Sequence, residues 1–234
     1  MRVLYLAIPA AAALLACTAV AQVSPEPQLA QPTKKEGPVP GWIRSGANRH
    51  AYDIAIDTEI FHGGAASATI HCSQRRYSSF GTFEQTIQAD RYIGHCVHLS
   101  AWVKATKGGS PRLWMRVDGT SGEPLAFDNM DNRDKRGPFE WRFQEIVLNV
   151  MPPAATINFG LILDGNGAAW VDDVALDMAP GACKRTTNML SQPVPPQGDS
   201  TAVRRAYAVR RAYNAANAHP RNLDFEERLG PIQQ

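Results

Sequence analysis

From residue 41 to about residue 179 the chain reads as short β-rich runs, each stopped by Gly, Pro, Asn or Asp, with no apolar stripe long enough for a major helix. Nine strands are predicted, over residues 52–56, 66–71, 82–87, 97–105, 112–117, 125–129, 141–150, 157–163 and 169–178. Apolar and polar positions alternate within them, as a strand with one buried face requires. Leu113, Met115 and Val117 share one face of their run, leaving Trp114, Arg116 and Asp118 on the other. The run at 141–150 is mixed, and Ile146, Leu148 and Val150 define its inward face. Strands this short and this closely spaced predict an all-β protein, a sandwich of two antiparallel sheets.

The two ends have a different texture. Met1-Arg2, an apolar run from Val3 to Ala16, and Ala19-Val20-Ala21 before Gln22 make a secretory signal peptide over residues 1–21, so the mature chain is expected in the periplasm or secreted. The apolar run falls short of the roughly 18–20 residues that span a bilayer, and no later segment approaches that length. Leu14-Leu15-Ala16-Cys17 also resembles a lipoprotein cleavage box with Cys17 as a lipid anchor. Leu15 departs from the small or β-branched residue usual there, which favours cleavage after Ala21. Residues 22–40 read as a linker, 41–180 as the sandwich domain and 181–198 as a second, Pro-rich linker. The tail, 199–234, holds one predicted helix over 201–217, capped by Asp199 or Ser200 and ended before Pro220. Its Arg204, Arg205, Arg210 and Arg211 with Tyr207 and Tyr213 suit a solvated helix with an aromatic edge, and one helix cannot make a helix-turn-helix.

Charge narrows the partners. Lys+Arg of 24 against Asp+Glu of 22 leaves a formal +2, too balanced to imply nucleic acid or a membrane surface. Cleavage after Ala21 leaves Cys72, Cys96 and Cys183. Export permits a disulfide, and the expected pair is Cys72 with Cys96, both at strand ends inside the domain; three free thiols are the alternative. No Cys and His spacing suits zinc. No nucleophile elbow, His-Glu-x-x-His, phosphate loop or dinucleotide fingerprint is present. Of the histidines, 50, 62, 71, 95, 98 and 219, only His95 and His98 are close, and on a strand they point to opposite faces.

Six phrases carry a resemblance: Gly41-Trp42, His62-Gly63-Gly64, Leu99-Ser100-Ala101-Trp102-Val103-Lys104, the stretch Leu113 to Gly119, Phe127-Asp128-Asn129-Met130, and Trp170-Val171-Asp172-Asp173-Val174. In this order the chain resembles the galactose-binding-like jelly rolls, relatives of carbohydrate-binding modules found in bacterial secreted proteins and appended to some regulators and hydrolases. The resemblance implies a jelly roll with a sugar-binding sheet face. It would use Trp114 as stacking platform, Arg116, Asp118, Asp128 and Asn129 as polar contacts, and Trp141 as a second platform. It sets Asp118 and Asp128 on neighbouring strands, where they could instead act as a hydrolytic pair or form a structural network with Arg116 and Asn129. Trp102 and Trp170, inside hydrophobic strands, are expected as core anchors. A structural calcium at Asp172 and Asp173, with Asp57 or Glu59, is the one cofactor considered. Such domains often open with a strand reading Asn-Leu-Asp-Phe-Glu before the Gly-Trp; here that phrase stands at 222–226, so the C-terminal segment is expected to return as that strand, a truncated second repeat being the rival explanation. The functional expectation is a non-catalytic extracytoplasmic module binding carbohydrate or cell-envelope polymer. Its rivals are a periplasmic interaction domain and a glycoside hydrolase; a transcription regulator is disfavoured by the signal peptide and the missing helix-turn-helix.

Overall fold

The computed structural model describes residues 38–74, 79–133, 136–179, 185–186 and 218–227; the expected signal peptide, Cys17, Cys183, the expected tail helix and most of both expected linkers lie outside them. Ten strands form among the described residues: β1 Ile43–Ser45, β2 Tyr52–Asp57, β3 Ser67–Cys72, β4 Gly81–Gln88, β5 Cys96–Ala105, β6 Gly109–Gly119, β7 Pro124–Asp128, β8 Phe139–Asn149, β9 Ala154–Gly165 and β10 Ala168–Ala179. They pair into two five-stranded sheets, β1-β4-β9-β6-β7 and β2-β3-β10-β5-β8, and every pairing is antiparallel. The chain crosses between the sheets at every connection except β2–β3 and β6–β7, the winding of a jelly roll.

Period-2 alternation builds the core. Leu113, Met115 and Val117 of β6 and Ile157, Phe159, Leu161 and Leu163 of β9 face inward from the first sheet. Ile146, Leu148 and Val150, together with Val97, Leu99, Ala101 and Val103 of β5, face them from the second. The predicted strands differ mainly at their ends. The sequence pattern stops at Pro111, yet β6 begins at Gly109, because pairing of Gly109, Ser110 and Pro111 with Gly165, Asp164 and Leu163 extends the ladder beyond the proline. The three-residue β1 is too short to show a period and exists through its pairing with β4.

The C-terminal segment does return to the start of the domain, as irregular chain and not as a strand. Asn222 and Phe225 have φ of 50° and 59°, a left-handed backbone outside the extended region of a regular strand. Phe225 is fully buried, 5.3 Å from the Trp42 ring and 6.4 Å from the Phe83 ring. The Trp42 indole N–H donates to the Asn222 carbonyl at 3.1 Å, the Asn222 amide donates to the Pro40 carbonyl at 3.1 Å, and the Gln85 side chain bonds both backbone groups of Arg221.

The expected Cys72–Cys96 bridge does not form: Cys72 is a free thiol, while Cys96 is disulfide-bonded to a partner outside the described residues. The register gives the reason. His71, beside Cys72, pairs with Ala168 at one end of β10, and Cys96 pairs with Ala179 at the other. At about 3.4 Å per residue these ends lie more than 30 Å apart, whereas bridged Cα atoms sit within about 7 Å.

Candidate functional site

The predicted ligand-binding residues divide among three places. Arg116 and Asp118 lie on the outer face of the first sheet, where the Arg116 guanidinium meets the Asp118 carboxylate at 2.7 and 2.8 Å. Asn158, opposite Arg116 in the β6–β9 register, donates to Asp118 at 2.9 Å and accepts from the Thr86 hydroxyl at 2.8 Å. The result is a polar row across β4, β9 and β6, with the Arg116 side chain 31% exposed. Trp114 shares this face and is buried, so its ring offers no platform. Its register partner is Gly160, and its indole reaches β4, donating to the Thr82 hydroxyl at 2.9 Å.

Asp128 points the other way. It pairs with Met115, and directly opposed residues share a face, so its carboxylate turns toward the core. There it is completely buried, held by Arg133 at 2.5 Å and by the Met130 backbone N–H at 2.8 Å. Arg133 also reaches the carbonyls of Glu145 and Thr186, closing the edge of the sandwich. Asn129 accepts the Asp131 N–H within the turn that follows. The hydrolytic pairing of Asp118 with Asp128 is therefore corrected: the two carboxylates stand on opposite faces of one sheet and cannot flank a single glycosidic bond. The Arg116–Asp128 network is corrected on the same ground, each residue having its own ion-pair partner.

The carboxylates considered for calcium take N–H donors instead. Asp57 accepts from Glu59, Ile60 and the Trp170 indole at 2.8–3.1 Å. Asp172 accepts from His62, Gly63 and Asp173 at 2.7–3.0 Å. Asp173 meets the His62 Nδ1 at 2.6 Å. Burial pushes the Asp172 carboxyl up from its ordinary value, opposed by those three N–H groups. Among the described residues no three His, Cys, Asp or Glu side chains gather as metal ligands, and this donor-filled arrangement does not fit a cation cage.

Trp141 is the one predicted ligand residue that belongs to an exposed aromatic surface, on the outer face of the second sheet. Trp102, expected in the core, is only half-buried and stands on this face between inward-pointing Ala101 and Val103. The His62 ring stacks on Trp102 with centroids 4.1 Å apart and planes 14° apart. Trp141 meets His62 edge-on at 5.7 Å, and Phe143, paired with Trp102, meets it at 5.7 Å. Phe143 is 52% exposed and Phe61, beside His62, is 39% exposed. Polar and charged pairs rim the cluster: Lys104 with Glu140, His98 with Glu145 at 3.0 Å, and His62 with Asp173. Trp170 is fully buried as expected, but faces away from the central core, sealed beside Asp57. The sequence signal for this surface was the odd-numbered alternation of Trp141, Phe143 and Glu145 on one strand face.

No described protein family matches this chain. It is 39% identical over 140 residues to an uncharacterized HTH-type transcriptional regulator, YbfP, of Bacillus subtilis; the match takes in 58% of this chain and 47% of that protein, so the chain spans about half the length of the curated relative it matches. Among solved structures, a cyclase from Fischerella sp. TAU superposes over 68% of this chain and 94% of its own with a TM-score of 0.49 at 18% identity. The CBM22-1 xylan-binding domain of Paenibacillus barcinonensis Xyn10C superposes over 63% and 92% with a TM-score of 0.48 at 14% identity.

Proposed function

We propose that the exported chain is a non-catalytic module that binds carbohydrate or cell-envelope polymer through the aromatic face of its second sheet. The observation that carries this reading is the exposed ring cluster of Trp141, Phe143 and the stacked His62–Trp102 pair with its charged rim. Large exposed apolar clusters rimmed by polar groups mark recognition surfaces. A pyranose complements this one: its C–H face rests on an aromatic ring while its equatorial hydroxyls reach donors and acceptors at the edge. Binding asks only for these contacts, whereas hydrolysis would need two carboxyls facing one bond.

The test is a glycan and cell-wall-polymer binding screen on the full chain beside Trp141→Ala, Phe143→Ala and Arg116→Ala. Binding by the parent that falls at least about tenfold in both aromatic variants and persists in Arg116→Ala is expected. Loss in Arg116→Ala alone would move the site to the first sheet. A folded parent that binds no glycan would overturn the sugar reading in favour of a protein partner.

A further inference from the structure

The aromatic face is completed by His62, and His62 sits on a connection, residues 58–66, whose shape is imposed by three carboxylates. Asp57 takes the N–H groups of Glu59 and Ile60 at 2.9 and 3.1 Å. Asp172 takes those of His62 and Gly63 at 2.7 and 3.0 Å. Glu226 takes those of Ala65 and Ala66 at 2.6 and 3.2 Å. The first two belong to strands of the sandwich, while the third arrives from the far C-terminal segment. The same segment touches the opposite support of His62, since the Leu223 carbonyl accepts the Val174 N–H at 3.1 Å, one residue beyond Asp173, whose φ is 48° in the β10 bulge.

The two glycines of the loop make room for these acids. A Cβ on Gly64, where φ is 62°, would stand 2.1 Å from Glu226 Oε1, and one on Gly63 would stand 2.7 Å from Asp173 Oδ1. The His62-Gly63-Gly64 phrase is thus a histidine followed by two clearances for carboxylates that arrive from elsewhere in the chain.

We propose that Glu226 is a positioning residue for the recognition surface: the C-terminal segment acts as a strap that sets the 58–66 loop so that the His62 ring lies on Trp102. The site is then built from both ends of the domain, and detaching the strap frees His62 without unmaking a strand. The inference rests on the aromatic face being the sugar site, and the experiment separates the two claims.

The full chain is compared with Glu226→Ala, Gly64→Ala, Glu226→Gln and, as a control in the same segment, Glu227→Ala. The first readout needs no ligand: the ring-current shift of the His62 ring protons over Trp102 in NMR spectra, with hydrogen exchange at the Ala65 and Ala66 amides. The second is the Kd for whichever oligosaccharide the parent binds. In Glu226→Ala and Gly64→Ala the His62 shift should collapse and the two amides exchange at least about tenfold faster, while core amides such as Phe159 keep their protection. Affinity should fall about tenfold in the same variants. Glu226→Gln retains an acceptor oxygen and should recover most of both signals, and Glu227→Ala should leave both unchanged. An unaltered His62 shift in Glu226→Ala, or unaltered sugar affinity once the shift is lost, overturns the strap. A parent that binds no sugar while Glu226→Ala still releases His62 overturns the sugar reading and upholds the strap.

Discussion

Phe225→Ala is the sharpest test of how the C-terminal segment is attached. The ring is fully buried and contacts Trp42 and Phe83, two members of the central core. Truncating a buried Phe costs about 3–5 kcal/mol, of which two aromatic contacts account for roughly 0.5–1.5 kcal/mol each. Two responses are open to the molecule: keep the segment docked over a cavity, or let it detach and wet the edge. Detachment limits the loss to the docking free energy of the segment, so the lower end, about 3 kcal/mol, is expected. For a chain of this size that corresponds to a fall in Tm of roughly 6–12 °C. Urea unfolding of parent and variant measures it, with the midpoint giving the loss and the m-value distinguishing the responses. An unchanged m means a docked segment, and a reduced m means surface already exposed in the native state. A loss below about 1 kcal/mol would refute the reasoning, because a ring that buried cannot be removed so cheaply from a segment that is part of the core.

Three further outcomes follow from the interactions above. Arg133→Ala strips the fully buried Asp128 of its ion-pair partner and should cost about 3 kcal/mol in urea unfolding, with much of the loss recovered in the Arg133→Ala, Asp128→Asn double variant. Burial raises the Asp172 carboxyl, so between its ordinary and raised values the folded state keeps a proton that the unfolded state has lost. Its stabilising contribution is full below the ordinary value and declines as pH rises through the raised one, and Tm measured across about pH 3 to 6 should fall relative to Asp172→Asn along that rise; a flat difference would refute it. Alkylation of the native chain without reductant, followed by mass spectrometry, should label Cys72, whereas Cys96 should react only after reduction; protection of both Cys72 and Cys96 until reduction would restore the bridge expected from sequence.

By itself the sequence determined the all-β class and the inward faces of β6 and β8. Both are local: alternation decides which side of a strand is apolar, and the side that is apolar goes inside. Alternation does not decide which strands become neighbours or what lies over an outward residue. Trp102 and Trp114 show the difference. Both stand on outward faces, yet Trp114 is covered, its indole bonded to Thr82 of β4, while Trp102 stays accessible under a histidine delivered by a distant loop. Asp118 and Asp128 were rightly placed on adjacent strands, but the register, which pairs Asp128 with inward-facing Met115, put them on opposite faces. The Asn222–Glu226 phrase did signal a return to the start of the domain, while backbone conformation decided that it would be a plug and not a strand. Register, bulges and long-range capping are fixed by residues more than a hundred positions apart, so only the folded chain could choose which aromatic rings face solvent together.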